Sequence, residues 1–369
     1  MVIEMIDTEK FYECLLQNGF DFFTGVPDSL LKDLCACLSD NAGKNYVIAA
    51  NEGNAVGIAS GHYLGSGHPA VVFMQNSGIG NAVNPLLSLA DKAVYGIPML
   101  LIVGWRGEPG VHDEPQHIKQ GEVTLALFEA MGIETVILGD DYEKTILECA
   151  EKMLKTECIT ALIIRKNTFS EYRYIPEKSD HKLTREQALR AAVSCLGDDD
   201  IIISTTGKTS RELYELREAD NFGHANDFLT VGSMGHASSI ALGLSLSSDK
   251  NIYCIDGDGA FLMHMGANAV NAQTAGDNFK YIVINNGAHE SVGGQKTVGF
   301  EISMKTILKG CGFEVCEAYD GDGIRSGMSL LSHKKAAMII YAKQGSRSDL
   351  GRPSLSPAEN KKRIMEKLK

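Results

Sequence analysis

The chain is 369 residues long, 44% hydrophobic and 22% charged, which suits two or three globular domains at roughly 100–200 residues each. Its formal net charge is −12, and an acidic surface argues against a nucleic-acid partner. The nine cysteines show neither the C-x2-C spacing of zinc sites nor a disulfide framework (Cys35 and Cys37 form a lone C-x-C), so reduced thiols and a cytoplasmic protein are expected.

Met1 to Asp7 lacks the basic start and long apolar run of a secretory leader. Strands are expected at 22–24, 46–49, 70–74, 99–103, 135–138 and 161–164, with helices between them at 8–17, 29–38, 52–64, 80–90, 123–130 and 142–155. The longest apolar stretch, Ala93 to Trp105, is broken by Gly96 and Pro98. It is too short to span a bilayer, so no membrane partner is expected. The polar stretch from Asn167 to Lys182, which includes Pro176, reads as a linker. A second series then starts at a helix over 185–195, capped by Thr184 with Gln187 in the capping-box position, and continues with strands at 201–204, 252–255, 281–284 and 337–341. Buried β-branched runs alternating with helices imply an α/β protein of two doubly wound parallel-sheet domains. The expected boundaries are 1–170 and 183–369, joined by a linker over 171–182.

The most informative motif is Asp256-Gly257-Asp258-Gly259-Ala260 at the end of one expected strand, with Asn285-Asn286 at the end of another. The glycines allow a tight turn and close approach of an anion to the backbone. Asp258 and Asn286 supply hard oxygens of the kind Mg²⁺ shares with phosphates and water. Both leave the carboxyl ends of strands, where α/β sheets place ligands. In the first half, Asn51-Glu52-Gly53-Asn54 follows a strand and puts a carboxyl group at a helix start.

The G-D-G and N-N motifs, about two dozen residues apart, resemble the signature of the thiamine-diphosphate enzymes. The resemblance implies that Asp258, Asn286 and the Ala288 carbonyl ligate Mg²⁺ and that Gly259 and Ala260 donate to the diphosphate. Thr206-Gly207-Lys208-Thr209 resembles a first diphosphate-facing loop, with Gly207 and Thr209 as candidate contacts. In Gly232-Ser233-Met234-Gly235, Met234 would wedge between the cofactor rings and the Gly232 carbonyl would accept from the pyrimidine amino group. Glu52 would pair with the pyrimidine ring and promote activation of the thiazolium carbon. The resemblance further implies a homo-oligomer with each active site built across a subunit interface.

The absence of a middle domain makes the chain similar to the compact phosphonopyruvate and sulfopyruvate decarboxylases. The segments that carry this are Thr24–Ser29, Gln75–Asn81, Gly104–Gly110, Asp113–His117 and Asp349–Pro353. The substrate implied is a small anionic 2-oxo acid, 3-phosphonopyruvate first, with sulfopyruvate or a carboligase reaction as alternatives. A non-catalytic nucleotide-binding role also stays open. Arg106 is the first candidate for the acid tail, followed by Ser29, Asn81 and Lys296; Asp28, His112, His117 and His289 are candidate acids for protonation after loss of CO₂. Related decarboxylases often carry a glutamate six residues beyond the second Asn of N-N, and Val292 stands there instead.

Overall fold

A computed structural model describes residues 5–175 and 178–369; the leader reading over residues 1–4 and the linker's Pro176 lie outside the described residues. The chain divides into two compact units, Met1–Pro176 and Glu177–Lys369.

In the first unit the order is α1 (Thr8–Gln17), β1 (Phe23–Gly25), α2 (Lys32–Asn41), β2 (Tyr46–Ile48), α3 (Glu52–Ser66), β3 (Ala70–Gln75), α4 (Ile79–Pro85), β4 (Met99–Gly104), α5 (Pro115–Ala130), β5 (Glu134–Ile137), α6 (Tyr142–Thr156) and β6 (Ile159–Ile164). The strands form one six-stranded sheet in the order β2-β1-β3-β4-β6-β5, and every pair is parallel. β3, β4 and β6 are almost wholly buried, and their alternate side chains fill two cores. Phe73, Leu100, Ile102 and Leu162 face one side; Val72, Met74, Leu101 and Ile163 face the other. Burial on both faces is why these strands read as unbroken apolar runs.

The second unit contains α7 (Arg185–Val193), β7 (Ile201–Ser204), α8 (Lys208–Ala219), β8 (Asp227–Leu229), α9 (Ala237–Ser245), β9 (Ile252–Gly257), α10 (Asp258–Met263), α11 (Ala267–Thr274), β10 (Phe279–Asn285), α12 (Met304–Cys311), β11 (Glu314–Ala318), α13 (Gly321–His333), β12 (Ala336–Tyr341) and α14 (Pro357–Lys367). Its parallel sheet runs β11-β12-β10-β9-β7-β8, the same order as in the first unit with each strand number raised by six. The capping box expected at Thr184 and Gln187 is present at the start of α7.

Several expectations needed adjustment. β8 and β11 were not expected from the sequence; they are short or lie at a sheet edge and carry Asp227, Glu314 and Glu317. The helix expected at 123–130 begins at Pro115, because proline fits a first helical turn. The one expected at 29–38 begins at Lys32, after a turn closed by Leu31 N–H on the Asp28 carbonyl. The one expected at 80–90 is α4 followed by a π-helical turn over Leu86–Ala90. Among the described residues, no helix is long and apolar enough to cross a membrane.

Candidate active site

The strand orders place the candidate residues. In an open parallel sheet, ligands occupy the crevice at the carboxyl ends of the strands, where the connections diverge. In the first unit that point lies between β1 and β3, and in the second between β7 and β9.

Glu52 is the first residue of α3, just beyond β2, and its helix is capped by Asn51 accepting from Asn54 N–H at 2.9 Å. The glutamate is 5% exposed. Its Oε2 accepts from Asn81 Nδ2 at 2.7 Å. A Cβ on Gly78 would fall 2.2 Å from Glu52 Oε1, and one on Gly53 would fall 2.8 Å from the Asn81 carbonyl, so two glycines clear the space for this pair. Burial raises the Glu52 pKa, and the Asn81 hydrogen bond opposes that rise. Asn81, named from the sequence as a substrate contact, is thus committed to the glutamate.

A second polar group gathers beyond β1, β3 and β4. Asp28 is fully buried; it accepts from Gln75 Nε2 at 2.5 Å and from Leu30 N–H at 3.0 Å. Burial raises its pKa against those bonds and the Arg106 charge. The Arg106 guanidinium grips Asp113 with two nitrogens, Nε at 2.8 Å and Nη2, and gives Nη1 to Ser29 Oγ at 2.8 Å. Arg106 is therefore not an open anion receptor: its charge is matched by Asp113, and Ser29 is tied to it. Asn76 locks the same loop, donating to the Arg106 carbonyl and to Thr124 Oγ1. His117 is 8% exposed, and burial and the Arg106 charge lower its pKa to about 4, with Asp113 opposing. His112 is exposed in the loop before α5.

In the second unit, Asp258 follows β9 and Asn286 follows β10. One terminal atom of the Asn286 carboxamide lies 3.0 Å from Asp258 Oδ1 and 3.2 Å from the Ala288 carbonyl oxygen. An amide nitrogen there would donate to both. An amide oxygen there faces two other oxygens, at 3.0 and 3.2 Å, close to the separation of about 2.9–3.0 Å between adjacent ligands around Mg²⁺ for metal–oxygen distances of about 2.0–2.1 Å. Thr297 Oγ1 holds the other Asp258 oxygen, and Gly299 leaves room beside it, since a Cβ there would meet Asp258 Oδ2 at 2.9 Å. Burial raises the Asp258 pKa to about 6, a cost that a bound cation would offset. Among the described residues, no cluster of three or more His, Cys, Asp or Glu side chains is placed to hold a metal. A set of one carboxylate, one amide and one carbonyl nevertheless fits a hard cation.

Around this cage a Cβ on Gly257 would meet nothing within 4 Å, leaving the turn open to an approaching anion. Gly259 is closed in: a Cβ there would lie 3.0 Å from His289 and 3.1 Å from Met234 Cε. Met234 is presented by a loop with left-handed backbone at Gly232, Ser233 and Gly235 (φ 71°, 47° and 81°). Ser233 pays for that conformation without being a glycine, a form of strain associated with functional loops. Gly232 N–H donates to Thr206 Oγ1 at 3.0 Å, linking this loop to the one after β7. Thr209 is buried in the first turn of α8, and Ala260 is buried in α10. Burial lowers the His289 pKa to about 4. Lys296 is half exposed and paired with Glu301 at 2.6 Å. Sequence reasoning missed Thr297 and Gly299, which no motif marks, and it named the segments that hold Gln75 and Asp113 without foreseeing their contacts with Asp28 and Arg106.

Two sheets of one topology, a buried helix-start glutamate on one and a hard-oxygen cage beside an open glycine turn on the other, define a cofactor-binding enzyme of the thiamine-diphosphate type. The chain belongs to the thiamine pyrophosphate enzyme family. Residues 8–128 match the family's N-terminal TPP binding domain and residues 205–344 its C-terminal TPP binding domain. Among similar proteins is the phosphonopyruvate decarboxylase of Streptomyces viridochromogenes, 31% identical over 94% of this chain and 91% of that protein. The phosphonopyruvate decarboxylase of Streptomyces hygroscopicus is 31% identical over 98% and 94%. The sulfopyruvate decarboxylase of Methanosarcina acetivorans is 28% identical over 98% and 97%.

Proposed function

We propose that the chain is a thiamine-diphosphate- and Mg²⁺-dependent carboxy-lyase that converts 3-phosphonopyruvate to phosphonoacetaldehyde and CO₂. The observation that carries this reading is the 31% identity, over nearly the whole of each chain, to two phosphonopyruvate decarboxylases. The 28% identity to a sulfopyruvate decarboxylase supports the second reading, the same reaction on a sulfonate.

When bound, the cofactor supplies a nucleophilic carbon and an electron sink for loss of CO₂. Asp258, Asn286 and the Ala288 carbonyl would hold Mg²⁺. Gly207, Thr209, Gly259 and Ala260 would face the diphosphate, and Gly232 and Met234 the rings. Glu52 keeps a buried carboxyl group with raised proton affinity, suited to sharing a proton with a ring nitrogen. Asp28 is the preferred donor of the final proton: it is fully buried and burial raises its pKa, whereas burial lowers the pKa values of His117 and His289 to about 4. Gln75 and Leu30 N–H hold the Asp28 carboxyl in place for that role. The half-site around Glu52 and the half-site around Asp258 belong to different units, and we read the working site as completed between copies in a homo-oligomer, as family resemblance implies.

The test is steady-state CO₂ release from both acids by the purified, cofactor-loaded protein. A higher kcat/KM for phosphonopyruvate supports the reading. A higher value for sulfopyruvate keeps the chemistry and replaces the substrate.

A further inference from the structure

The polar group beyond β1, β3 and β4 sets two carboxyl groups beside one cation and treats them unequally. Asp113 takes one whole edge of the Arg106 guanidinium, from Nε at 2.8 Å and from Nη2. It also accepts from Gly107 N–H and Glu114 N–H, each at 2.8 Å. Asp28, fully buried, receives only neutral donors: Gln75 Nε2 at 2.5 Å, Leu30 N–H at 3.0 Å and, at 3.5 Å, the Ser29 hydroxyl. Arg106 reaches toward Asp28 through that hydroxyl, which accepts from Nη1 at 2.8 Å. A Cβ on Gly104 would fall 2.1 Å from Asp28 Oδ2, so the end of β4 closes over that oxygen.

The inequality has an electrostatic consequence. An arginine in direct contact with a carboxyl group pulls its pKa down by about 1–3 pH units. Asp113 bears that pull: burial works against its charge, but the Arg106 and Gly107 hydrogen bonds and the Arg106 and His117 charges hold it below the ordinary value. Asp28 goes the other way, because burial outweighs the Gln75 and Leu30 hydrogen bonds and the Arg106 charge. The remaining titratable groups on this side stay neutral: burial pushes the Cys35 thiol of α2 up to about 12 and raises Tyr46 of β2, with Asp33 further out beside Cys35. The plainer role for Asp113 is a clasp on the loop before α5, and a clasp alone moves no titration of Asp28.

We propose that Asp113 is a positioning residue that fixes Arg106 away from Asp28 and so keeps Asp28 a carboxylic acid. This rests on the proposed function, in which Asp28 gives the final proton. The substrate carbon that has lost CO₂ keeps an electron pair, which takes the Asp28 proton to form the new C–H bond; the carboxylate left behind takes a proton back from water before the next turn. A guanidinium free to turn to Asp28 would hold it as the carboxylate, and the proton would be missing when it is needed.

Asp113→Asn and the double variant Asp113→Asn with Arg106→Met test this, each loaded with thiamine diphosphate and Mg²⁺. Asp28 is read directly through the infrared band of its protonated carboxyl, assigned by the loss of that band in Asp28→Asn and titrated with pH. The basic limb of the kcat profile with phosphonopyruvate reads the same group in turnover. Asp113→Asn frees the guanidinium, so both midpoints should fall by about one pH unit, the low end of the pull of a contacting arginine. The double variant removes the pair together, leaves neither charge unmatched and should titrate as wild type does. It also decides the matter where Asp113→Asn does not fold. An unchanged or raised infrared midpoint in Asp113→Asn overturns the proposal. So does a double variant whose midpoint rises by about one pH unit, since Arg106 would then already act on Asp28. An infrared midpoint that falls while the kcat limb stays keeps the role of Asp113 and removes Asp28 as the proton donor. A wild type that decarboxylates neither acid contradicts the proposed function, while the infrared midpoints still decide what Asp113 does.

Discussion

Glu52 joins a buried carboxyl group to a single strong donor, Asn81. Glu52→Gln keeps an acceptor for that donor, so the fold should persist while kcat falls by about 10²–10⁴-fold, the usual contribution of a positioned acid or base. Equal activity in the variant, measured with saturating cofactor, would remove Glu52 from the chemistry. Because the folded carboxyl holds its proton to higher pH than an unfolded glutamate, its contribution to stability is full below the ordinary value and is lost as pH rises through the raised one. Asn81→Ala removes a bond that favours the charged form, so the acid limb of the kcat/KM profile should move to higher pH; a shift to lower pH, or none, would contradict the pairing. His117 has the opposite sign. Its folded pKa of about 4 lies below the ordinary 6.5, so its contribution is present above pH 6.5 and lost as pH falls toward 4. The difference in melting temperature between wild type and His117→Asn should shrink across that window. Asp258 and Asn286 were legible from sequence because strand ends and glycine spacing mark them. The pairing of Asn81 with Glu52 was not, since no pattern links positions 29 residues apart across two elements.

At the scale of elements, the sites depend on backbones packed too closely for a side chain. Gly107 has φ +68°, and a Cβ on Gly121 of α5 would fall 1.6 Å from the Gly107 carbonyl, while Trp105 Nε1 donates to the Gly121 carbonyl at 3.0 Å. Gly121→Ala should force this loop off α5 and cost about 1–3 kcal/mol, the scale of overpacking; denaturant unfolding would show it, and an unchanged midpoint would mean that the loop yields freely. The same Gly121 made the helix hard to see, because it interrupts the apolar period of the first half of α5. The central strands were easy to read: buried on both faces, they are continuous apolar runs. β8 and β11 carry charges at or near sheet edges and look like loops until their neighbours are known.

At the scale of the whole molecule, one topology occurs twice, and each copy presents a different chemistry at its divergence point. The sequence showed the alternation but no repeat, because the shared order lies in strand pairing. A site that buries the Asp258 carboxyl should gain stability on loading: thiamine diphosphate with Mg²⁺ should raise the melting temperature in a concentration-dependent way, and Asp258→Ala should abolish the rise. The most direct measurement is ³¹P NMR of phosphonopyruvate incubated with the purified protein, thiamine diphosphate and Mg²⁺. Conversion to phosphonoacetaldehyde that requires both additions and Glu52 is the expected result. An unchanged phosphonopyruvate signal with a fully loaded protein would contradict the central claim.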